Sequence, residues 1–330
     1  MRFAIVGTNF VSDTFIESAA LVEGCEVVAV LGRDFSKTLK FKEKYGIANA
    51  FESLSDLLEW GDFDAVYIAT PNSTHKDISI QFMKAKKHVF CEKPLAANYD
   101  EALFMINTAR ENRVYLQEGL FPLFSENYRI IKENLSKVGK IRQVYINMSQ
   151  YSSRYDAYLR GENPTTFRRE LCNGAAMDLG VYTLALALGL FGEPKSLVSD
   201  AVLLESGVDA SCSAILKYDG FLVNLSASKV CDTENRFEIS GEEGILSINH
   251  PTKIESIVFK PRNGGESVEL AAAKRPNFYP EILEMLDSVK SGALEGGSVP
   301  HSFSLTLHKY LSLMRKFAGI IFPNDSVPKC

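Results

Sequence analysis

The sequence predicts two domains: an α/β domain with a doubly wound parallel sheet over residues 1–119, and an α+β domain with a large, mainly antiparallel open sheet over residues 120–330. In the first region, short apolar runs alternate with helical patterns, which is typical of a parallel sheet with crossover helices. From about residue 140, apolar and polar residues alternate with a period of two, as in strands that bury one face. The turn Tyr218-Asp219-Gly220-Phe221 indicates a hairpin in that second region.

The elements of the first domain follow from local patterns. Strands are predicted at short apolar runs, over residues 3–6, 27–31, 65–69, 88–91 and 114–116. Helices are predicted at apolar residues with helical spacing, over residues 11–21, 36–45, 74–85 and 99–112. Gly46 suits the C-cap of the second helix, because glycine adopts a left-handed backbone without strain.

The second domain is predicted to be rich in strands. Val144, Ile146 and Met148 share one face of its first strand. Further strands are predicted over residues 197–204, 210–218, 221–227, 236–240, 244–248 and 254–260. Helices are predicted over residues 125–135, 176–190, 280–290 and 303–317.

Composition narrows the function classes. A formal net charge of −5 and a pI of about 5.7 argue against nucleic acid as a partner. The six cysteines form no CxxC pair, which indicates reduced thiols and a cytoplasmic protein. The five histidines are scattered, so no metal site is predicted. The longest helical apolar run, residues 184–191, is too short to span a bilayer, so no membrane association is expected.

A degenerate nucleotide turn follows the first strand. It reads Gly7-Thr8-Asn9-Phe10-Val11-Ser12 where a dinucleotide fingerprint has GxGxxG or GxGxxA. Asparagine tolerates a left-handed backbone better than other non-glycine residues, so the turn can survive at Asn9. The following helix would then offer its N-terminus to a pyrophosphate. An ordinary strand-to-helix turn is the alternative.

The end of the second strand favours NADP over NAD. Gly32 stands where an NAD site often has a carboxylate for the ribose 2′-hydroxyl. Arg33 offers a planar donor fork that suits a 2′-phosphate, and Lys37 adds a second cation. Alternatively, both are solvated charges at a helix start, with Asp34 as the N-cap.

Polar residues follow the third predicted strand, at the sheet edge where open α/β folds bind ligands. Thr70, Pro71, Asn72 and His75 are therefore candidate cofactor or active-site residues. In the alternative interpretation, Asn72 is a turn residue and His75 a first-turn helical residue without chemistry.

Two further motifs carry the predicted chemistry. Glu92-Lys93-Pro94-Leu95 follows the fourth strand, and a lysine there can polarise a hydroxyl or stabilise an alkoxide. The segment Gly174-Ala175-Ala176-Met177-Asp178-Leu179-Gly180-Val181-Tyr182 places Asp178 and Tyr182 four residues apart on a predicted helix, so their side chains share a face. A nearby ammonium would favour the phenolate of a tyrosine, whose free pKa is about 10.

Together these motifs resemble the glucose-fructose oxidoreductase, inositol dehydrogenase and rhizopine catabolism family, often called Gfo/Idh/MocA. The resemblance implies an N-terminal Rossmann domain, a C-terminal open sheet, an active site between them, and a homodimer or higher oligomer packed through that sheet. It implies that Lys93 is the catalytic lysine, that Glu92 lies at the cofactor, and that Arg168 contacts cofactor or substrate. A surface salt bridge is the alternative role for Arg168. The family commonly has histidine where this chain has Tyr182. Tyrosine there resembles the branch with dihydrodiol dehydrogenase and glucose-fructose oxidoreductase.

The expected function is NAD(P)-dependent hydride transfer between nicotinamide and a secondary alcohol or carbonyl of a sugar-like, cyclic polyol or diol substrate. Lys93 and Tyr182 would serve proton transfer, with Asp178 in support. In the alternative interpretation, Lys93 is an exposed lysine at a strand end, Asp178 is a polar residue on a helix face, and Tyr182 packs half-buried on its helix. The alternatives are a dinucleotide-binding regulator without catalysis and a structural oligomerisation module.

Overall fold

The computed structural model describes residues 1–270 and 278–326, which form two compact units. The first unit contains residues 1–96, 100–121 and 278–304. The second unit contains residues 97–99, 122–270 and 305–326. The single domain boundary that the sequence predicts after residue 119 stays a prediction.

The described residues contain strands and α-helices with the following bounds. The strands are β1 Arg2–Val6, β2 Glu26–Leu31, β3 Asn49–Phe51, β4 Ala65–Ile68, β5 His88–Glu92, β6 Leu116–Gly119, β7 Ile141–Ser149, β8 Ser196–Leu203, β9 Asp209–Tyr218, β10 Phe221–Ser228, β11 Phe237–Gly241, β12 Gly244–Ile248, β13 Ile257–Pro261 and β14 Val268–Leu270. The helices are α1 Phe10–Ala19, α2 Phe35–Tyr45, α3 Leu54–Trp60, α4 His75–Lys84, α5 Tyr99–Asn112, α6 Phe121–Phe124, α7 Glu126–Glu133, α8 Tyr155–Leu159, α9 Val181–Phe191, α10 Tyr279–Lys290 and α11 His301–Phe317.

The first unit is built on a parallel sheet with strand order β3-β2-β1-β4-β5-β6. The order reverses beside β1, so the carboxyl ends of β1 and β4 flank the switch point at which such sheets bind ligands. This confirms the predicted doubly wound sheet. The strand prediction was wrong in omitting β3, which has three half-buried residues and therefore no continuous apolar run.

Aromatic stacking fixes the core of the first unit. The ring of Phe15 on α1 stacks on that of Tyr67 on β4, with centroids 3.8 Å apart. Phe90 of β5 and Phe278 each meet Phe15 edge-on. Phe278 directly precedes α10, so this cluster packs a late segment of the chain against the first sheet. Full burial of such a ring contributes about 1.5–3 kcal/mol to stability.

The second unit is built on a sheet with strand order β14-β13-β12-β11-β7-β10-β9-β8. Neighbouring strands are antiparallel except for β7 and β10, which run parallel. One face buries apolar residues such as Val144, Leu216 and Val223, while the opposite face stays largely open. The predicted large, mainly antiparallel open sheet is therefore confirmed.

The buried helix of the second unit begins with a π-helical turn, Ala176–Gly180, and continues as α9. The helical stretch Arg169–Phe191 is long and apolar enough, by composition, to cross a membrane. This stretch is longer than the apolar run of residues 184–191 on which the sequence-based expectation rested. However, 78% of its most apolar window is buried inside the protein, as expected for a core helix.

Candidate active site

The turn after β1 requires glycine at its first position. Gly7 has a φ of +115°, and a Cβ atom there would overlap the backbone oxygen of Ala69 at the end of β4. The hydroxyl of Ser12 donates to the Gly7 backbone oxygen at 2.9 Å, which ties the first turn of α1 to this loop. A tight turn at the first glycine is one of the features that a dinucleotide fingerprint needs.

Asn9 stabilises this turn through its side chain and not through the left-handed backbone that was predicted. Its backbone is extended, with φ −99° and ψ 176°, so the expectation of a left-handed residue was wrong. Its side-chain oxygen instead accepts hydrogen bonds from the N–H groups of Val11 and Ser12, at 3.0 and 3.2 Å. Its Nδ2 donates to Ala69 O at 2.8 Å. Asn9 is therefore the N-cap of α1, whose positive dipole end lies beside Thr8 and the exposed Phe10.

The carboxyl end of β2 has no room for an acidic side chain. A Cβ atom on Gly32 would lie 2.5 Å from Thr38 Oγ1 and 3.1 Å from Thr8 Cγ2. Arg33 is exposed, and the exposed Lys37 pairs with Asp34 at 3.7 Å. The Asp34 carboxylate also accepts from the Lys37 N–H at 3.1 Å, and is the N-cap of α2. This edge therefore presents the cationic side chains of Arg33 and Lys37. The turn that begins at Gly7, after β1, fits a bound dinucleotide.

The loop after β4 places His75 beneath the surface. Both ring nitrogens of His75 face backbone oxygens at 2.9 Å, Nδ1 that of Pro94 and Nε2 that of Thr70. Burial lowers the pKa of His75 below its ordinary value. Asn72 is also buried, whereas Thr70 and Pro71 keep some exposure. His75 can therefore act on a ligand only through the loops that it contacts.

Lys93 stands at the carboxyl end of β5, and the Lys93–Pro94 peptide bond is cis. Its side chain is half-buried. The preceding Glu92 is buried and accepts hydrogen bonds from the Tyr67 hydroxyl at 2.8 Å and from the Lys93 N–H at 3.3 Å. Among the predicted site residues of the first unit, Glu92 contacts Lys93 and His75 contacts Thr70, and His75 also contacts Pro94, the residue after Lys93.

In the second unit, Asp178 is paired with a lysine that the sequence did not reveal. Lys229 Nζ donates to Asp178 Oδ2. The Lys229 side chain is only 8% exposed, while that of Asp178 is 38% exposed. The Lys229 ammonium is thus buried, whereas part of the Asp178 carboxylate remains accessible to a ligand.

The turn that carries Asp178 is anchored from below by Asp209. Asp209 Oδ2 accepts from the Ala176 N–H at 2.6 Å. Gly174 has a φ of +140°, and a Cβ atom there would overlap the Asp209 carboxylate. Burial raises the pKa of Asp209 to about 6. Asp209 therefore fixes the start of the helical segment that holds the candidate acid/base residues.

Tyr182 and Arg168 have different surroundings. Tyr182 lies in the first turn of α9 and is 7% exposed. The Nε of Arg168 donates to the backbone oxygen of Asn163 at 2.8 Å, so this guanidinium has a local structural contact. Its predicted contact with cofactor or substrate stays a prediction.

Sequence reasoning missed Lys229, Asp209 and Glu118. Glu118 is the last residue but one of β6, in the parallel sheet, so its position near the ligand-binding edge could have indicated it. Lys229 and Asp209 lie at the ends of alternating strands, where polar residues are ordinary, and only tertiary contacts distinguish them. Within the described ranges, no cluster of three or more His, Cys, Asp or Glu residues could hold a metal ion.

Comparison with known proteins defines the class first. Residues 1–120 match the model of an oxidoreductase family with an NAD-binding Rossmann fold, and residues 129–247 match the GFO/IDH/MocA C-terminal domain. The chain belongs to the GFO/IDH/MocA oxidoreductase family and is an NAD(P)-dependent oxidoreductase. This confirms the predicted family and favours an enzyme over the regulatory alternative.

Individual relatives agree with that assignment. The chain is 39% identical over 326 residues to scyllo-inositol 2-dehydrogenase (NADP(+)) IolU from Bacillus subtilis, covering 98% of this chain and 99% of the relative. It is 28% identical over 343 residues to trans-1,2-dihydrobenzene-1,2-diol dehydrogenase from Danio rerio, covering 99% of both chains. The fold matches that of KijD10, a 3-ketoreductase from Actinomadura kijaniata, solved with NADP and TDP-benzene. That match has a TM-score of 0.86 at 22% identity and covers 96% of this chain and 97% of the other.

Proposed function

We propose that the protein is an NADP-dependent dehydrogenase that interconverts a secondary hydroxyl and the corresponding ketone on a cyclic polyol or a similar sugar-like substrate. The observation that carries the proposal is the half-exposed, ion-paired Asp178 one helical turn before Tyr182. A carboxylate and a phenol one helical turn apart offer an acceptor and a donor to substrate hydroxyls. The name of the Bacillus subtilis relative, which has 39% identity, supports a cyclic polyol.

We assign proton handling to Lys93 and Tyr182. A bound nicotinamide dinucleotide would supply the hydride acceptor. The Lys93 ammonium stabilises negative charge that develops on the substrate oxygen, which lowers the barrier to loss of the hydroxyl proton. Tyr182 exchanges that proton, as phenolate in oxidation and as phenol in reduction.

Asp178 binds and orients the substrate in this scheme. Its contact with the Lys229 ammonium holds the carboxylate in place. An ionised carboxylate accepts hydrogen bonds only, so it selects substrates that present hydroxyl donors. Polyols and sugars meet this requirement.

The preference for NADP rests on the end of β2. Gly32 itself adds no carboxylate that would repel a 2′-phosphate, and a larger residue there would strike Thr38 and Thr8. The nearby Asp34 carboxylate is paired with Lys37. Arg33 supplies the planar donor fork for the phosphate. A charge-assisted hydrogen bond contributes about 1.5–3 kcal/mol, so its loss weakens binding about 10- to 100-fold.

Titration with NADPH and NADH, followed by nicotinamide fluorescence, tests this proposal together with turnover on cyclic polyols. We expect tighter binding of NADPH, and a loss of about 10- to 100-fold in Arg33→Ala for NADPH alone. Lys40→Ala, which removes an exposed cation on α2, is the matched control and should bind both dinucleotides normally. Equal affinity of the unmodified protein for NADH and NADPH would overturn the cofactor assignment.

We also propose that copies of the chain associate through the open face of the second sheet. Val198, Ile215 and Tyr145 lie in one row across β8, β9 and β7, with Asn224 of β10 between the last two. These three apolar side chains are 42–61% exposed, which is costly unless a partner covers them. The five cysteines of the described residues form no disulfide bond, which supports a reducing, cytoplasmic location.

A further inference from the structure

The backbone around Lys93 is held by buried ionisable side chains on both sides of the lysine. The Lys93 N–H donates to Glu92 Oε2 at 3.3 Å, and the Leu95 N–H donates to Glu118 Oε1 at 2.9 Å. Glu92 is 8% exposed and Glu118 is 2% exposed. Glu118 belongs to β6, the strand next to β5, so the contact joins two neighbouring strand ends.

The carbonyl oxygen of Pro94 also contacts a buried side chain. Pro94 O lies 2.9 Å from Nδ1 of His75, a residue without exposed surface. The other nitrogen of His75 faces Thr70 O in the loop after β4. One backbone group at each of positions 93, 94 and 95 therefore contacts a different buried side chain.

Stability alone does not account for this arrangement. A buried carboxylate carries a desolvation penalty that its hydrogen bonds only partly offset. Glu281, also fully buried in this unit, has a pKa raised well above its ordinary range by burial and by the Glu92 carboxylate. An apolar side chain at position 118 would avoid such costs, but it could not accept the Leu95 N–H.

We propose that Glu118 is a positioning residue, which acts on the reaction by fixing the Leu95 amide and thereby the site of the Lys93 ammonium. The inference rests on the proposed role of Lys93. A displacement of a reacting group by about 1 Å can lower a rate about 100-fold. Glu118 therefore controls kcat and leaves dinucleotide affinity unchanged.

Two substitutions of similar size separate positioning from packing. Glu118→Gln keeps an oxygen that accepts the Leu95 N–H, whereas Glu118→Leu does not. We expect kcat to fall about 10- to 100-fold in Glu118→Leu and by less than about threefold in Glu118→Gln, with the NADPH dissociation constant unchanged in both. Glu101→Leu, which removes a buried glutamate of α5 that pairs with Lys76, is the matched control and should keep kcat. Equal kcat values in the Gln and Leu variants would overturn the inference.

Amide hydrogen exchange at Leu95 tests the contact without turnover. Exchange should be faster in Glu118→Leu than in the unmodified protein and near normal in Glu118→Gln. If Glu118→Leu does not fold, His75→Leu and His75→Gln form a second pair acting on the Pro94 carbonyl, and the glutamine variant should keep the higher kcat. Full activity in Lys93→Met would contradict the proposed function, whereas normal kcat in Glu118→Leu beside an inactive Lys93→Met would contradict only the positioning role.

Discussion

Stability should depend on pH through the buried carboxyl group of Asp209, which holds the start of the helical segment with Asp178 and Tyr182. Its pKa rises from the ordinary 3.8 to about 6, chiefly because burial disfavours the charged form. The folded protein therefore binds this proton more tightly than the unfolded chain does. The stabilising contribution is complete below about pH 4 and is lost as the pH rises through about 6.

We predict that Asp209→Asn removes this dependence. The shift corresponds to about 3 kcal/mol of unfolding free energy between about pH 4 and pH 7. The free energy of unfolding of the unmodified protein, minus that of the variant, should therefore fall by about that amount across the window. Urea denaturation at a series of pH values measures it.

Asp219→Asn, at an exposed hairpin turn, is the control for this measurement and should follow the unmodified protein at every pH. A difference between the unmodified protein and Asp209→Asn that stays constant from about pH 4 to pH 7 would contradict the raised pKa of Asp209.

Among the helices and strands, the sequence predicts the elements that contain a long apolar pattern. The strands of the first sheet other than β3, and helices α1, α2, α4 and α5, were found within a few residues of their predicted bounds. The omitted elements are short. β3 has three residues, and α3 has seven, Leu54–Trp60, which follow the N-cap Ser53. Short elements form through tertiary contacts that local periodicity does not report.

In the candidate site, too, the sequence predicts some features, while others depend on tertiary contacts. Gly7 could be predicted because a turn with positive φ and close backbone contact requires glycine. The capping role of Asn9 could not be separated from a left-handed role, since asparagine suits both. The pairing of Lys229 with Asp178 joins residues 51 positions apart, so it depends on the registration of the second sheet.

For the whole molecule, the open face of the second sheet carries the proposed self-association. We predict that Ile215→Lys shifts the protein toward monomer, because burying an unpaired ammonium in an interface costs several kcal/mol. Size-exclusion chromatography with light scattering measures the mass. Leu21→Lys alters an apolar residue of the first unit with 59% exposure, and this control should leave the mass unchanged.

A monomer from the unmodified protein, across the concentration range of the measurement, would contradict the proposed association. So would an unchanged oligomer in Ile215→Lys, since Ile215 lies in the exposed row shared with Val198. In either case the family assignment stands, because it rests on matches to both parts of the chain.

The enzymatic role of Lys93 is the central claim, and one comparison tests it most directly. The rate of NADPH formation from cyclic polyols would be measured for the unmodified protein, Lys93→Met and Lys84→Met, an exposed lysine on α4. We predict turnover by the unmodified protein and Lys84→Met, and a loss of at least about 100-fold in Lys93→Met with NADPH binding retained. Undiminished turnover in Lys93→Met would contradict the assignment of Lys93 to the reaction.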